Sequence, residues 1–230
     1  MIENNAKKHI FFQEIAYLIG IFLIELSISL MTKADFGLSM IIAPAYVLHL
    51  KISEFLPFFT IGMASYTLQF LLIISIILIR RKFKLSYFLA FVTSVICGLL
   101  LDTINLCLSG VIFTTLAVRI IFFFVSIAIC SFGVSLMFRT YIAPEAYDLF
   151  VKELSKHFKI KTAKFKIAYD LSSLAVAVIL SFALFGLWNL NGIGIGTVVC
   201  ALLNGLMIGG FGKILDKNFE FKPLLKFKNK

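Results

Sequence analysis

Charged residues are scarce in this 230-residue sequence: they make up 15% of it, whereas a soluble domain has about a quarter. Apolar residues make up 60%, and the mean hydropathy is +1.00. A soluble domain of this length has no interior large enough to bury so much apolar surface. The composition therefore excludes an ordinary soluble domain and indicates helices that are solvated by lipid.

Side chains that build catalytic or metal centres are also few. The three histidines, His9, His49 and His157, are scattered over the terminus and loops. The cysteines all lie inside apolar runs without the spacing of metal ligands, which favours core thiols: Cys97, Cys107, Cys130 and Cys200. The sequence contains neither a nucleophile with a base nor a phosphate-binding loop. We therefore expect no enzyme, no metal site and no cofactor.

Long hydrophobic runs dominate what is present. A membrane-spanning helix needs about 20 mostly apolar residues, and runs of this length occur at Ile10–Met31, Pro57–Ile79, Ser86–Ser109, Thr114–Phe138, Lys164–Leu187 and Ile193–Leu215. These runs predict an all-α, multi-pass membrane protein with a bundle of six transmembrane helices.

Basic residues mark one side of the predicted bundle. All but three of the 22 Lys and Arg residues fall in the N-terminal residues 1–9, the second and fourth loops and residues 213–230, which include the predicted basic tail 217–230. Since Lys and Arg stay on the cytoplasmic side during insertion, both termini are expected in the cytoplasm. The same residues suit contact with anionic lipids at the cytoplasmic flanks, and we expect no binding of nucleic acid.

The two halves of the sequence share features in the same order. A Ser-Leu-Met triplet ends the first run at Ser29 and the fourth at Ser135. An Ala-Pro pair follows each one, at Ala43 and at Ala143. The alternative is that apolar helices resemble one another by chance.

Residues 10–110 and 111–216 would then be two repeats of three spans each. Because three is an odd number, the second repeat must enter the membrane from the opposite side. Inverted repeats of this kind are typical of secondary transporters. The segments Gly37–Leu50 and Ala143–Phe158 are each predicted to form a short extra helix after the first span of a repeat. Each of them either re-enters the membrane or lies at its interface.

Polar residues within the spans are candidates for a site. An ionised side chain at membrane depth is costly, so Glu25 requires a partner or an aqueous cavity. It is interpreted either as a carboxylate that handles protons or cations, or as a structural hydrogen-bonding group. Asp102 and Arg119 lie nearly equidistant from the turn at Gly110 and are predicted to form a structural ion pair. Gln69 suits hydrogen bonding between helices.

The glycines that open the last run permit two interpretations. Gly194, Gly196 and Thr197 stand at the predicted start of the sixth spanning helix. Backbone amides at such a start bind anions, but small residues there also allow close helix packing.

Three stretches resemble the YczE/YitT group of bacterial membrane proteins. They are Ala143-Pro144-Glu145-Ala146, the Phe165–Asp170 stretch and Gly194-Ile195-Gly196-Thr197. Some relatives carry charged residues just before the Gly-Thr pair, where this chain has Gly194 and Ile195. The resemblance implies a protein of the bacterial cytoplasmic membrane and supports six spans, but it supplies no substrate.

These observations favour a small secondary transporter or permease for a small molecule or ion. Its candidate binding residues are Glu25, Gln69, Glu145, Lys166, Asp170, Gly194, Gly196 and Thr197. One alternative is the substrate-binding membrane subunit of an ATP-driven importer. Another is a non-transporting membrane accessory protein.

Overall fold

The computed structural model describes residues 9–187, 189–190 and 192–224, except the side chains of residues 162 and 163. In this part of the chain eight helices account for most residues. They are α1 (Gln13–Ala34), α2 (Ala43–Ser53), α3 (Ile61–Arg80), α4 (Leu85–Cys107), α5 (Leu116–Met137), α6 (Ala146–His157), α7 (Thr162–Phe185) and α8 (Ile195–Asn218).

Six of these helices are long and apolar enough to cross a membrane: α1, α3, α4, α5, α7 and α8. They coincide with the six predicted spans. The short helices α2 and α6 lie in the two segments where extra helices were predicted, each after a long helix and before the next one. The multi-pass helical fold is therefore confirmed.

The bundle is built around α1 and α5, which have the most extensive contact of any two helices. Gly20 of α1 lies against Gly133 of α5, so that a Cβ atom on Gly20 would be 3.0 Å from the carbonyl oxygen of Gly133. Arg119 at the start of α5 binds the end of α1, which makes the two helices antiparallel. The helix α4 packs on α1, and α8 packs on α5.

Apolar side chains cover the outside of the long helices. Leu18, Leu78 and Leu206, for example, are 66%, 69% and 75% exposed. Such a surface is stable in lipid and unstable in water. Polar side chains with very low exposure, among them Glu25, Gln69 and Ser94, lie inside the bundle. The solvent of this protein is therefore the bilayer.

Two four-residue strands depart from the predicted all-α fold. The strand β1 (His9–Phe12) pairs in parallel with β2 (Phe219–Lys222). The first predicted span therefore began too early, because Ile10–Phe12 belong to β1. Part of the predicted basic tail is likewise ordered as β2, in which apolar and charged residues alternate as they do in a half-buried strand. The rest of the terminal segments, 1–8 and 225–230, lies outside the described residues.

The predicted ion pair between Asp102 and Arg119 is wrong. Arg119 donates from Nε to the carbonyl oxygen of Ala34 at 2.8 Å and pairs with the Asp35 carboxylate at 2.9 Å. Asp102 instead accepts from the Thr60 hydroxyl at 2.6 Å and caps the start of α3. The prediction assumed that consecutive helices pack together, whereas the main neighbour of α5 is α1.

Candidate functional site

Two carboxylates and a thiol meet inside the bundle. Glu25 of α1 and Cys97 of α4 are only 3% and 2% exposed, and Glu145 is half-buried just before α6. One side-chain oxygen of each glutamate and the Cys97 Sγ lie within 4.8 Å of one another. We call these three residues the carboxylate–thiol cluster.

The position of Glu145 follows from how α6 begins. The Thr93 hydroxyl donates to the carbonyl oxygen of Ala143 at 3.2 Å, and the Ala146 amide donates to the Ser94 hydroxyl at 3.2 Å. These bonds hold the first turn of α6 against α4. Glu145 is the N-cap residue of α6, where the helix dipole favours a negative charge.

Gln69 fixes the orientation of the Glu145 carboxylate. Its amide nitrogen donates to Glu145 Oε2 at 3.0 Å, and its carbonyl oxygen accepts from the Ser94 hydroxyl at 2.6 Å. Because both ends of the amide are engaged, the Glu145 carboxylate is held in one orientation. The structure thus brings together three of the predicted binding residues, Glu25, Gln69 and Glu145, which lie far apart in the sequence.

The cluster has no cationic partner in the described part of the chain. No Lys, Arg or His nitrogen lies within 4.0 Å of Glu25 or Glu145 there. Burial raises the pKa of the Glu145 carboxyl above its ordinary value, and the negative charge of Asp148 raises this pKa further. Buried carboxylates without a counter-charge must take up a proton or a cation.

Lys166 and Asp170 of α7 form a second cluster. Their partners in α6 lie about one helical turn after Glu145. The Tyr147 hydroxyl donates to Asp170, and Lys166 Nζ donates to Asp148 at 3.4 Å. Lys166 Nζ also lies 5.2 Å from the ring centre of Tyr147. These contacts join α6 to α7, so the two predicted residues are engaged with α6 and not with Glu25.

Gly194, Gly196 and Thr197 lie apart from both clusters. The Gly196 amide donates to the carbonyl oxygen of Phe36 at 3.0 Å, and the Gly194 amide donates to the Thr197 hydroxyl at 3.3 Å. A Cβ atom on either glycine would overlap the Phe36 oxygen. These two amides are engaged within the protein, which favours the close-packing interpretation over the anion-binding one. The glycines instead let the start of α8 lie directly against the turn after α1.

A cavity of about 290 Å³ is lined by Gln69 but by none of the three residues of the carboxylate–thiol cluster. Its walls come from α2, α3, α6 and α7 and are mostly apolar, with Gln69 and Tyr147 among the polar groups. Gln69 also donates to Glu145, so this side chain lies between the cavity and the cluster. A more polar cavity of about 450 Å³ near Lys33, His49 and Asp102 lies at the start of α3.

Sequence reasoning missed Cys97 and the two hydroxyls that place α6. Cys97 was read as a core thiol because thiols are common in apolar helices. Thr93 and Ser94 precede it by four and three residues on the same face of α4. The signal in the sequence was therefore a small polar face of α4 that includes Cys97. Only the contact of this face with α6 shows that it belongs to a site.

Comparison with curated proteins and with solved structures finds no significant match. Residues 11–213 match a family that is described as a family of unknown function, DUF6198. This match covers both halves of the bundle and all three residues of the carboxylate–thiol cluster. The chain therefore belongs to the DUF6198 family.

Proposed function

We propose that this protein is a small secondary transporter or permease for a small molecule or ion, with the carboxylate–thiol cluster as its cation-binding centre. The observation that carries the proposal is the meeting of Glu25 and Glu145, two carboxylates without a cationic partner among the described residues. Ionisable side chains at membrane depth are costly and commonly mark ion or proton pathways.

The way in which α6 enters the bundle supports this proposal. Transporter sites are commonly formed where a short or interrupted helix ends between long ones. Here the start of α6 is bonded to Thr93 and Ser94 of α4, and it delivers Glu145 beside Glu25. The cavity of about 290 Å³ is connected to this point through Gln69, which lines the cavity and donates to Glu145.

The proposal includes two inverted repeats, α1–α4 and α5–α8. Each would consist of a 22-residue helix, a short helix and two further long helices. Reciprocal packing supports it, since α2 contacts α7 and α6 contacts α3. The antiparallel pair α1 and α5 would then lie next to the pseudo-symmetry axis.

We further propose a bacterial cytoplasmic-membrane location with both termini inside and with anionic lipids at the basic flanks. The charge distribution along the sequence supports it. We also propose a relationship to the YczE/YitT group, which agrees with the six helices of membrane-spanning length.

Replacement of Glu25 tests the proposed function. Purified protein is reconstituted in liposomes, and solute-induced currents are recorded on a solid-supported membrane. Solutes are fractions of a bacterial small-molecule extract and a panel of divalent cations. We expect Glu25→Gln to abolish a current that the wild-type protein generates, because the amide carries no charge to bind a cation.

Glu54→Gln is the matched control, since Glu54 is an exposed residue that pairs with Lys51. It should retain the wild-type current. Gel filtration must show that both variants are folded. A current that persists in folded Glu25→Gln protein would reject the assignment of this cluster, and the lack of any wild-type current would reject the transport function.

A further inference from the structure

We infer that the carboxylate–thiol cluster binds a divalent transition-metal ion and that this ion is the cargo. This inference rests on the proposed transport function and names the class of its substrate. The sequence suggested no metal site, because the three donors lie far apart along the chain and acquire their spacing only through the fold.

The donor atoms match the chemistry of such an ion. Glu25, Cys97 and Glu145 offer two oxygens and one sulfur within 4.8 Å of one another. Zinc lies about 2.0–2.3 Å from carboxylate and thiolate donors, so small side-chain rotations would bring all three onto one ion. A sulfur ligand selects against Mg²⁺ and Ca²⁺, which prefer oxygen donors only, and favours zinc and neighbouring first-row metals.

Charge balance supports the same conclusion. The described residues provide no basic nitrogen within 4.0 Å of either carboxylate. A divalent ion would offset two of the three negative charges of two carboxylates and a metal-bound thiolate, whereas a single proton would offset one. Glu25 is only 3% exposed, and an isolated charge at a buried position is costly. A bound ion would pair with this charge.

Ser29 supplies an independent observation. Its hydroxyl is fully buried. In the described part of the chain, this hydroxyl has no hydrogen-bond partner. Ser29 follows Glu25 by one helical turn and lies on the same face of α1. A buried polar atom without a partner indicates a missing water or ion. A metal ion with a bound water would provide that partner.

The surroundings of Glu145 resemble those of a metal ligand. Gln69 holds Oε2 of this carboxylate at 3.0 Å, and Ser94 in turn holds Gln69 at 2.6 Å. Hydrogen bonds of this kind orient ligands in metal sites. Three protein ligands would leave one position of a tetrahedral ion open. An open position suits an ion that must be released.

Cobalt(II) titration of the detergent-purified full chain tests the site. The exposed Cys107 is first replaced in all samples by Cys107→Ser, so that it cannot bind the ion. We expect one equivalent of Co²⁺ to produce a sulfur-to-cobalt charge-transfer band that Zn²⁺ removes by competition. Cys97→Ser should abolish the band, and Glu25→Gln and Glu145→Gln should each weaken binding by at least about tenfold.

Cys200→Ser is the matched control, because Cys200 is also a buried thiol but lies in α8, outside the cluster. It should retain the band and the affinity. Gel filtration establishes that each variant is folded. A wild-type titration without the band, or a band that remains in Cys97→Ser protein, would overturn the inference.

Zinc flux into liposomes that contain a fluorescent chelator separates the two proposals. Zinc binding together with Glu25-dependent zinc flux supports both. Binding without flux of any solute overturns the transport function and the role of the ion as cargo, while it supports the site itself. Glu25-dependent flux of another solute without metal binding overturns the metal inference and supports the transporter.

Discussion

At the scale of single residues, Gly62 and Gly98 allow α3 and α4 to approach closely. A Cβ atom on Gly62 would overlap the carbonyl oxygen of Gly98 and the carboxylate of Asp102. Because the obstacles include backbone and a capping carboxylate, the helices must move apart to admit a methyl group. We expect Gly62→Ala to destabilise the protein by about 1–3 kcal/mol, measured as a lower midpoint of thermal unfolding in detergent.

Gly205→Ala provides the matched control for this prediction. Gly205 lies on the exposed surface of α8, and no heavy atom is within 4 Å of a Cβ atom placed there. The same methyl group should change the stability by no more than about 0.5 kcal/mol. Equal unfolding midpoints for the two variants would show that the contact between α3 and α4 is looser than described.

Individual residues differ in how well sequence alone identifies them. Glu25 was recognised because a carboxylate within an apolar run is rare and expensive. Cys97, 2% exposed, gave no such signal because a thiol costs little in an apolar environment. Glu145 was selected through a family resemblance, and its proximity to Glu25 depends on the packing of α6, which no local pattern specifies.

At the scale of elements, α6 is fixed at both ends. Its start is bonded to α4, and near its end Glu153 accepts from Lys84 at 3.0 Å and from the Tyr87 hydroxyl at 3.1 Å. Arg80 lies 3.2 Å from the same carboxylate. The anchored helix therefore connects the cluster to the basic loop between α3 and α4.

Glu153→Gln tests this anchor. Burial opposes ionisation of Glu153, but the bonds from Lys84 and Tyr87 outweigh it, so that the pKa of Glu153 is lowered from its ordinary value of 4.5. Its stabilising effect is then complete above pH 4.5 and is lost as the pH falls through the lowered value. We expect the substitution to cost about 1–3 kcal/mol at pH 7 and progressively less below pH 4.5 in detergent unfolding experiments.

Glu54→Gln serves as the reference for the pH series, because Glu54 is exposed and pairs only with Lys51 in the described structure. The difference between the Glu54→Gln and wild-type curves should stay small at every pH. If the effect of Glu153→Gln were the same at pH 7 and at the acid end, the charge of Glu153 would not be the stabilising feature.

The sequence predicts a helix well where the length and composition of a segment are enough to determine its structure. A run of about 20 apolar residues has one stable form in lipid, which is why the six spans were correct. The starts of α2 and α6 were marked by Ala-Pro pairs, but the sequence left their position relative to the membrane open. Neighbour relations were not readable, as the wrong pair of Asp102 and Arg119 shows, since α5 packs on α1 and not on the preceding helix.

At the scale of the whole molecule, the two halves are packed differently. The helices α3 and α4 form a close pair, whereas α7 packs mainly on α2 and α6, and α8 packs on α5. Gly98 faces Gly62 in the first half, while Gly205 in α8 faces open space. A transporter that alternates between two states requires one part to move relative to another. Among the six long helices, α7 and α8 are packed least extensively against the rest of the bundle.

Membrane topology provides the test at this scale. Single cysteines are introduced in a Cys107→Ser background at four exposed positions. Lys82, Gly110 and Leu187 follow α3, α4 and α7, and Lys156 lies near the end of α6. An impermeant maleimide applied to intact cells should label Gly110→Cys and Leu187→Cys only. Lys82→Cys and Lys156→Cys should be labelled after the membrane is opened, because Lys and Arg are retained in the cytoplasm. Labelling of Lys82→Cys and Gly110→Cys from the same side would remove α4 from the spanning helices, and the second half would then no longer be inverted relative to the first.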